Sequence, residues 1–303
     1  MKYGGFGDAV DPSHPMPSPP LELRCGDRTL DLNRPVVMGV LNVTPDSFSD
    51  GGRFLSVEAA VEQGVRMAAE GASLIDVGGE STRPGAEPVT ADEELRRVIP
   101  VIERLRAATA AIICVDTSKA EVMRAASAAG AGLINDVRAL REPGALAAAA
   151  ASGCAVCLMH MQGEPRTMQL APSYADVVAE VRGFLAARVA SCVAAGLAAE
   201  RLAVDPGFGF GKTLEHNLTL LRRLRELAAD GLPVLVGLSR KSMLGTLTGR
   251  AAAERVYGSV ALAVIAVLAG ARIVRAHDVA ATVEALKVAA AVGNEAAGTV
   301  AGE

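Results

Sequence analysis

Eight short apolar runs, separated by longer stretches of helical periodicity, decide the fold before any single residue is considered. They are VVMGVLN (36–42), SLIDVGG (73–79), AIICVD (111–116), GLIND (132–136), AVCLMH (155–160), RLAVD (201–205), PVLVGLS (233–239) and ARIVRAH (271–277). Between them lie stretches such as SVEAAVEQGVRMAAEG (56–71) and TLEHNLTLLRRLRELAADG (213–231). In the latter, Leu214, Leu218, Leu221 and Leu224 fall on one face of a single helix. Near-continuous apolar strands alternating with helices predict a parallel sheet covered on both sides. Two architectures satisfy this, an open doubly wound sheet and a (β/α)8 TIM barrel. Polar residues favour the barrel because they sit at the C-terminal ends of nearly every run: Asn42, Asp76, Asp116, Asn135, Asp136, His160, Asp205, Arg275 and His277. In a barrel all these ends converge on one mouth, whereas an open sheet uses only those near its switch point.

LELRCGDRTLDL (21–32) reads as a β-hairpin around Gly26-Asp27 in front of the barrel, and residues 1–20 as a Pro-rich, extended or disordered leader. The expected organisation is thus a leader over 1–20 and a barrel with its N-terminal hairpin over 21–303. A net charge of -4 argues against non-specific nucleic-acid binding, and 3% aromatic residues with no Trp supply few stacking platforms. The start of the chain has no apolar signal segment, and the uncharged, Ala- and Gly-rich run 256–271 falls short of the ~20 residues that span a bilayer. A cytoplasmic protein with no membrane partner is expected. Cys154 and Cys157 form a lone C-x-x-C in a strand, where i and i+3 point to opposite faces, so small buried hydrophobes are expected rather than a zinc site.

VDPGFGFGKT (204–213) imitates a phosphate loop. Counting back from Gly211-Lys212-Thr213, a Walker A loop needs Gly at 206, where Pro206 has no N–H to offer. A dinucleotide fingerprint starting at Gly207 needs its third Gly where Lys212 stands. What remains is an acid at a strand tip, Asp205, followed by glycines that let something flat approach the backbone. Phe208 is expected to pack inward, while Phe210 is open between core and pocket.

The other strand tips indicate the ligand. Asp116, Asp205 and Asn135 face one mouth with Lys241, one of only five lysines. Acceptors for amino and ring N–H groups, with a cation for a carbonyl oxygen, suit a planar heterocycle such as a pterin or purine. Arg83, Arg275 and His277 suit an anion, helped by a helix beginning near Ser242.

These segments together resemble the dihydropteroate synthase family over residues 21–292. The matching stretches are NVTPDSFSDGG (42–52), DVGGESTRPGA (76–86), VDTSKAEV (115–122), LINDV (133–137), LMHMQGEPRTMQ (158–169), DPGFGFGK (205–212), GLSRKSMLG (237–245) and RAHDV (275–279). The resemblance implies condensation of a dihydropterin pyrophosphate with p-aminobenzoate. It implies that Asp116, Asn135, Asp205 and Lys241 hold the pterin edges, with Met159, Phe210 and Gly237 nearby. Asn42 would bind Mg²⁺ with the pyrophosphate, and Arg83, Arg275 and His277 would complete the anion pocket. Thr82, Arg83 and Pro84 would close over p-aminobenzoate, with Ser242 at its carboxylate, and Asp116, Lys241 and Arg83 would serve catalysis. A homodimer through barrel helices is also implied, and the apolar stretch 256–271 could serve it. The competing readings are a methyltetrahydrofolate:corrinoid methyltransferase, which lacks the anion site, and a non-catalytic paralogue.

Overall fold

The computed structural model describes residues 21–43, 53–81, 87–164 and 167–293. The leader expected over 1–20 lies outside them, as do Thr82, Arg83 and Pro84. The chain opens with the expected hairpin, β1 (Glu22–Cys25) and β2 (Arg28–Asp31), antiparallel with Cys25 opposite Arg28. Gly26 takes the first turn position at φ +64°, a conformation that a two-residue hairpin demands and glycine adopts without a steric penalty.

Eight parallel strands follow: β3 (Val36–Asn42), β4 (Leu74–Gly78), β5 (Ile112–Asp116), β6 (Leu133–Asp136), β7 (Ala155–Met159), β8 (Leu202–Asp205), β9 (Leu235–Gly237) and β10 (Ile273–Ala276). They pair in sequence from β3 to β8, while β10 lies between β9 and β3. A parallel bridge from Val204 to Val234 joins β8 to β9 and closes the ring. Every run predicted as a strand is one.

Helices return between the strands: α1 (Arg53–Ala69), α2 (Ala91–Ala108), α3 (Ala120–Ala128), α4 (Ala145–Ser152) and α5 (Val177–Ala194) after β3 to β7. Then come α6 (Leu214–Arg222) and α7 (Leu224–Ala228) after β8, α8 (Ser242–Thr248) and α9 (Val256–Leu268) after β9, and α10 (Val279–Gly293) after β10. The helix expected to run unbroken across 213–231 is instead interrupted at Arg223, where ψ is 17°. The break leaves Leu224 and Leu227 buried, while the Arg223 side chain pairs with Asp176 and Glu226. Periodicity alone could not foresee a partner on another helix.

Period-two alternation divides the core into two layers. Val37, Ile75, Ile113, Ile134, Val156, Val204, Val236 and Val274 face outward and pack under the helices. Met38, Leu74, Ile112, Leu133, Ala155, Ala203, Leu235 and Ile273 alternate with them and fill the barrel interior. The same inner cluster includes Leu23, Cys25, Leu30 and Leu32, so the hairpin forms the barrel's floor. Leu23 and Leu32 are fully buried there, each contributing about 1.5–3 kcal/mol of apolar burial. Cys154 belongs to the outer cluster and Cys157 to the inner one, on opposite faces as expected. Among the described residues no helix is long and apolar enough to cross a membrane.

Candidate active site at the barrel mouth

Following the inner-facing parity up the strands leads from the apolar interior to a mouth where most of the side chains are polar. Leu74 gives way to Asp76, Cys114 to Asp116, Leu133 to Asn135, Cys157 to Met159, Ala203 to Asp205, Leu235 to Gly237 and Ile273 to Arg275. Asp116, Asn135, Met159, Asp205, Phe210, Gly237, Lys241 and Arg275 line one pocket. Apart from Arg275, these are the seven residues expected around a pterin ring.

Asp76 is a polar strand end to which the resemblance assigns no role. It is fully buried and centres the pocket's ion network. Its Oδ2 accepts from Arg275 Nε (2.6 Å) and from Asn135 Nδ2 (3.0 Å). Arg275 Nη2 reaches Asp116 Oδ2 at 2.9 Å. Asn135 Oδ1 and Asp76 Oδ1 are buried without a hydrogen-bond partner. Buried acceptors are normally satisfied, so the orphaned amide oxygen of this pocket-lining residue is an acceptor still without a donor.

Burial, reinforced by Asp76 and opposed by Arg275, raises Asp116 from its ordinary 3.8 to about 7. Burial likewise raises Asp205 to about 6, against the Gly207 N–H that its Oδ1 accepts at 2.7 Å and against Lys241. Lys241 is lowered to about 8 by burial and by Arg275, with Asp205 opposing. Burial also disfavours the charge of Arg275, but Asp76 and Asp116 outweigh it and hold the guanidinium protonated. The Lys241 ammonium lies 4.1 Å from the centre of the Phe210 ring, a cation–π contact. Phe210 joins an apolar wall of Val137, Met159, Met161 and Met168. Phe208 is 1% exposed and packs inward as expected.

The rim residues surround this pocket. Asn42 ends β3, half-buried, and Gly78 leaves room between it and Asp116: a Cβ on Gly78 would lie 3.7 Å from Asn42 Oδ1 and 3.5 Å from Asp116 Cβ. Ser239 Oγ contacts His277 Nδ1 at 3.0 Å and accepts its backbone N–H at 3.2 Å. Ser242 begins α8, with Lys241 as the residue before it. A neighbouring hollow of about 460 Å³ shares Asp116 and is lined by Glu80, Lys119, Arg138 and Glu164. Along its wall Lys119 pairs with Glu80 and Glu94, and Arg138 with Glu142 and Glu164.

Two strand-end residues do not face the mouth. Asp136 has the outward parity, and its carboxylate caps the next loop by accepting from Ser118 Oγ (2.5 Å) and from the N–H groups of Arg138 (2.8 Å) and Leu140 (2.6 Å). His160 is turned against Phe184, edge to face with ring centres 5.0 Å apart. The lysine of the imitation phosphate loop also points away from solvent. Lys212 is 3% exposed and donates to the Gly207 and Phe210 carbonyls at 2.9 and 3.0 Å.

A family model described as "Pterin binding enzyme" matches residues 38–277, from the first barrel strand to the residue after the last. The chain belongs to the pterin binding enzyme family. Among this family's members, the dihydropteroate synthase of Escherichia coli (strain K12) is 57% identical over 86% of this chain and 92% of its own length. A solved dihydropteroate synthase from Xanthomonas albilineans with 4-aminobenzoic acid superposes with a TM-score of 0.86 at 58% identity, covering 90% of this chain and 98% of that one. The same organism's enzyme in complex with 7,8-dihydropteroate gives a TM-score of 0.82 at 56% identity, covering 89% and 98%. In this pterin binding enzyme the deep pocket lies where the inner columns of β4, β5, β6, β8 and β10 turn from apolar to polar, with Met159 of β7 and Gly237 of β9 between them.

Proposed function

We propose that this pterin binding enzyme is a dihydropteroate synthase, joining 6-hydroxymethyl-7,8-dihydropterin pyrophosphate to p-aminobenzoate and releasing pyrophosphate. The observation that carries the reading is the pocket itself, where all seven expected ring contacts converge around the unpartnered carbonyl oxygen of Asn135. Relatives more than half identical, one of them solved with 7,8-dihydropteroate, support it.

Asn135 and Asp205 accept ring and amino N–H groups, and Lys241 donates to a ring oxygen or nitrogen while Phe210 covers one edge. The C–O bond to pyrophosphate breaks with its electron pair leaving on oxygen. The lone pair of the arylamine forms the new C–N bond, and the amine proton is lost to solvent or to the departing anion. Asp116, fixed by Arg275, is placed to steady positive charge on the ring as the bond breaks. Arg275 from the pocket wall and His277 from the rim are assigned to the anion, Arg83, Thr82 and Pro84 to shielding the reaction from water, and Ser242 to the p-aminobenzoate carboxylate.

Among the described residues no cluster of three or more His, Cys, Asp or Glu could hold a metal. A single amide oxygen at Asn42 fits Mg²⁺ of the kind that keeps its waters and is carried by substrate phosphates. When bound, the ion neutralises charge on the leaving pyrophosphate. Mixing the protein with the pterin pyrophosphate, Mg²⁺ and p-aminobenzoate should release pyrophosphate. If no release depends on p-aminobenzoate, the reading is wrong.

A further inference from the structure

Among the described residues the chemistry above leaves one buried lysine amine unused, its pKa lowered by burial to about 7. Lys212 follows the glycine-rich stretch and folds back beneath it. Its Nζ donates to the carbonyl oxygens of Gly207 and Phe210 and meets His160 Nδ1 at 2.9 Å. Burial, together with the nearby Lys212, pushes His160 down to about 3, so its ring is neutral and Nδ1 can accept. Other ties hold the same loop. Tyr174 Oη donates to the Gly211 carbonyl at 2.8 Å, and the Gly209 N–H donates to Asn217 Oδ1 at 2.8 Å.

The loop tied in this way reaches the pocket at two points. Phe210 presents its ring to Lys241 Nζ. Gly209 lies so close to the Lys241 stem that a Cβ there would sit 3.2 Å from Cδ. A loop needing only apolar packing beneath it would use Leu or Met, since a buried amine must recover its desolvation cost through geometry. Here that geometry is a single nitrogen drawing together the two carbonyls that bracket Gly207 to Phe210.

We infer that Lys212 is a positioning residue for the pterin pocket: it gathers the 207–211 loop onto one point and so sets Phe210 and Lys241 against the ring. This rests on the dihydropteroate synthase reading, and wild-type pyrophosphate release tests that reading separately. Lys212→Met is compared with wild type for affinity towards 6-hydroxymethyl-7,8-dihydropterin and, separately, towards magnesium pyrophosphate, both by calorimetry. The expected result is a pterin affinity at least tenfold weaker and a pyrophosphate affinity within twofold. A merely structural role would weaken both alike, so a pterin loss less than threefold greater than the pyrophosphate loss overturns the inference. If Lys212→Met does not fold, the same pair of affinities is read on Tyr174→Phe, which removes one tie from the same loop. There, a pterin loss at least twofold greater than the pyrophosphate loss supports the inference, and anything smaller overturns it.

Discussion

Burial acts on Asp205 and Lys241 in opposite directions, and their titrations bracket the range in which both are charged. Asp205 is raised to about 6 and Lys241 lowered to about 8. Below the first value the carboxylate gains a proton and no longer accepts two N–H groups; above the second the ammonium becomes a neutral amine. Affinity for 6-hydroxymethyl-7,8-dihydropterin, which carries no phosphate, should therefore peak between these values and fall on both sides. Asp116, raised to about 7, adds a second proton to the acid limb, so that limb should be steeper than a one-proton titration. Asp205→Asn should weaken binding at the optimum by about tenfold or more and leave a one-proton acid limb. An affinity by calorimetry that stays flat from pH 5 to 9 would contradict these assignments.

At the scale of elements, the turn after β8 is the least forgiving part of the pocket. Gly207 has φ +67°, and a Cβ there would stand 1.9 Å from the His160 carbonyl oxygen, a backbone atom that cannot step aside. Gly207→Ala should cost about 2–4 kcal/mol in denaturant unfolding and weaken pterin binding by more than tenfold. Gly209→Ala meets only the flexible stem of Lys241, so it should cost less stability while still displacing that amine. Equal losses of stability in the two variants would refute this account. The contrast also shows what was legible in the sequence. Strand positions and the hairpin could be read because apolar runs and turn residues are local signals, and the mouth could be read because most strands end in a polar residue. The alternation of the strands separates Asp76, in line with inner Leu74, from Asp136, in line with outer Ile134, which their shared place at strand ends does not. The roles of Lys212 and His160 and the break at Arg223 were not legible, because each depends on a partner supplied by another segment of the fold.

The molecule as a whole presents an apolar surface that a lone barrel does not need. Of nine large hydrophobic residues exposed among the described residues, five lie on two adjacent helices: Tyr257, Ile265 and Leu268 on α9, and Val288 and Val292 on α10. Tyr257, Ala261, Ile265 and Leu268 recur at intervals of four, four and three, which makes one stripe along α9. Tyr257 is 86% exposed and Val292 77%, an arrangement that favours burial against another protein surface. A two-fold pairing of identical chains would cover both copies of the stripe with one contact and leave no open end. This supports the homodimer as a proposal, with α9 and α10 as its proposed surface. Light scattering on the wild-type protein should then give about twice the 31.0 kDa chain mass. Ile265→Asp combined with Tyr257→Asp should reduce it to one chain mass without unfolding the barrel, since both side chains already face solvent in the single chain. A wild-type mass of one chain, or a double variant that stays paired, would remove this surface as the interface.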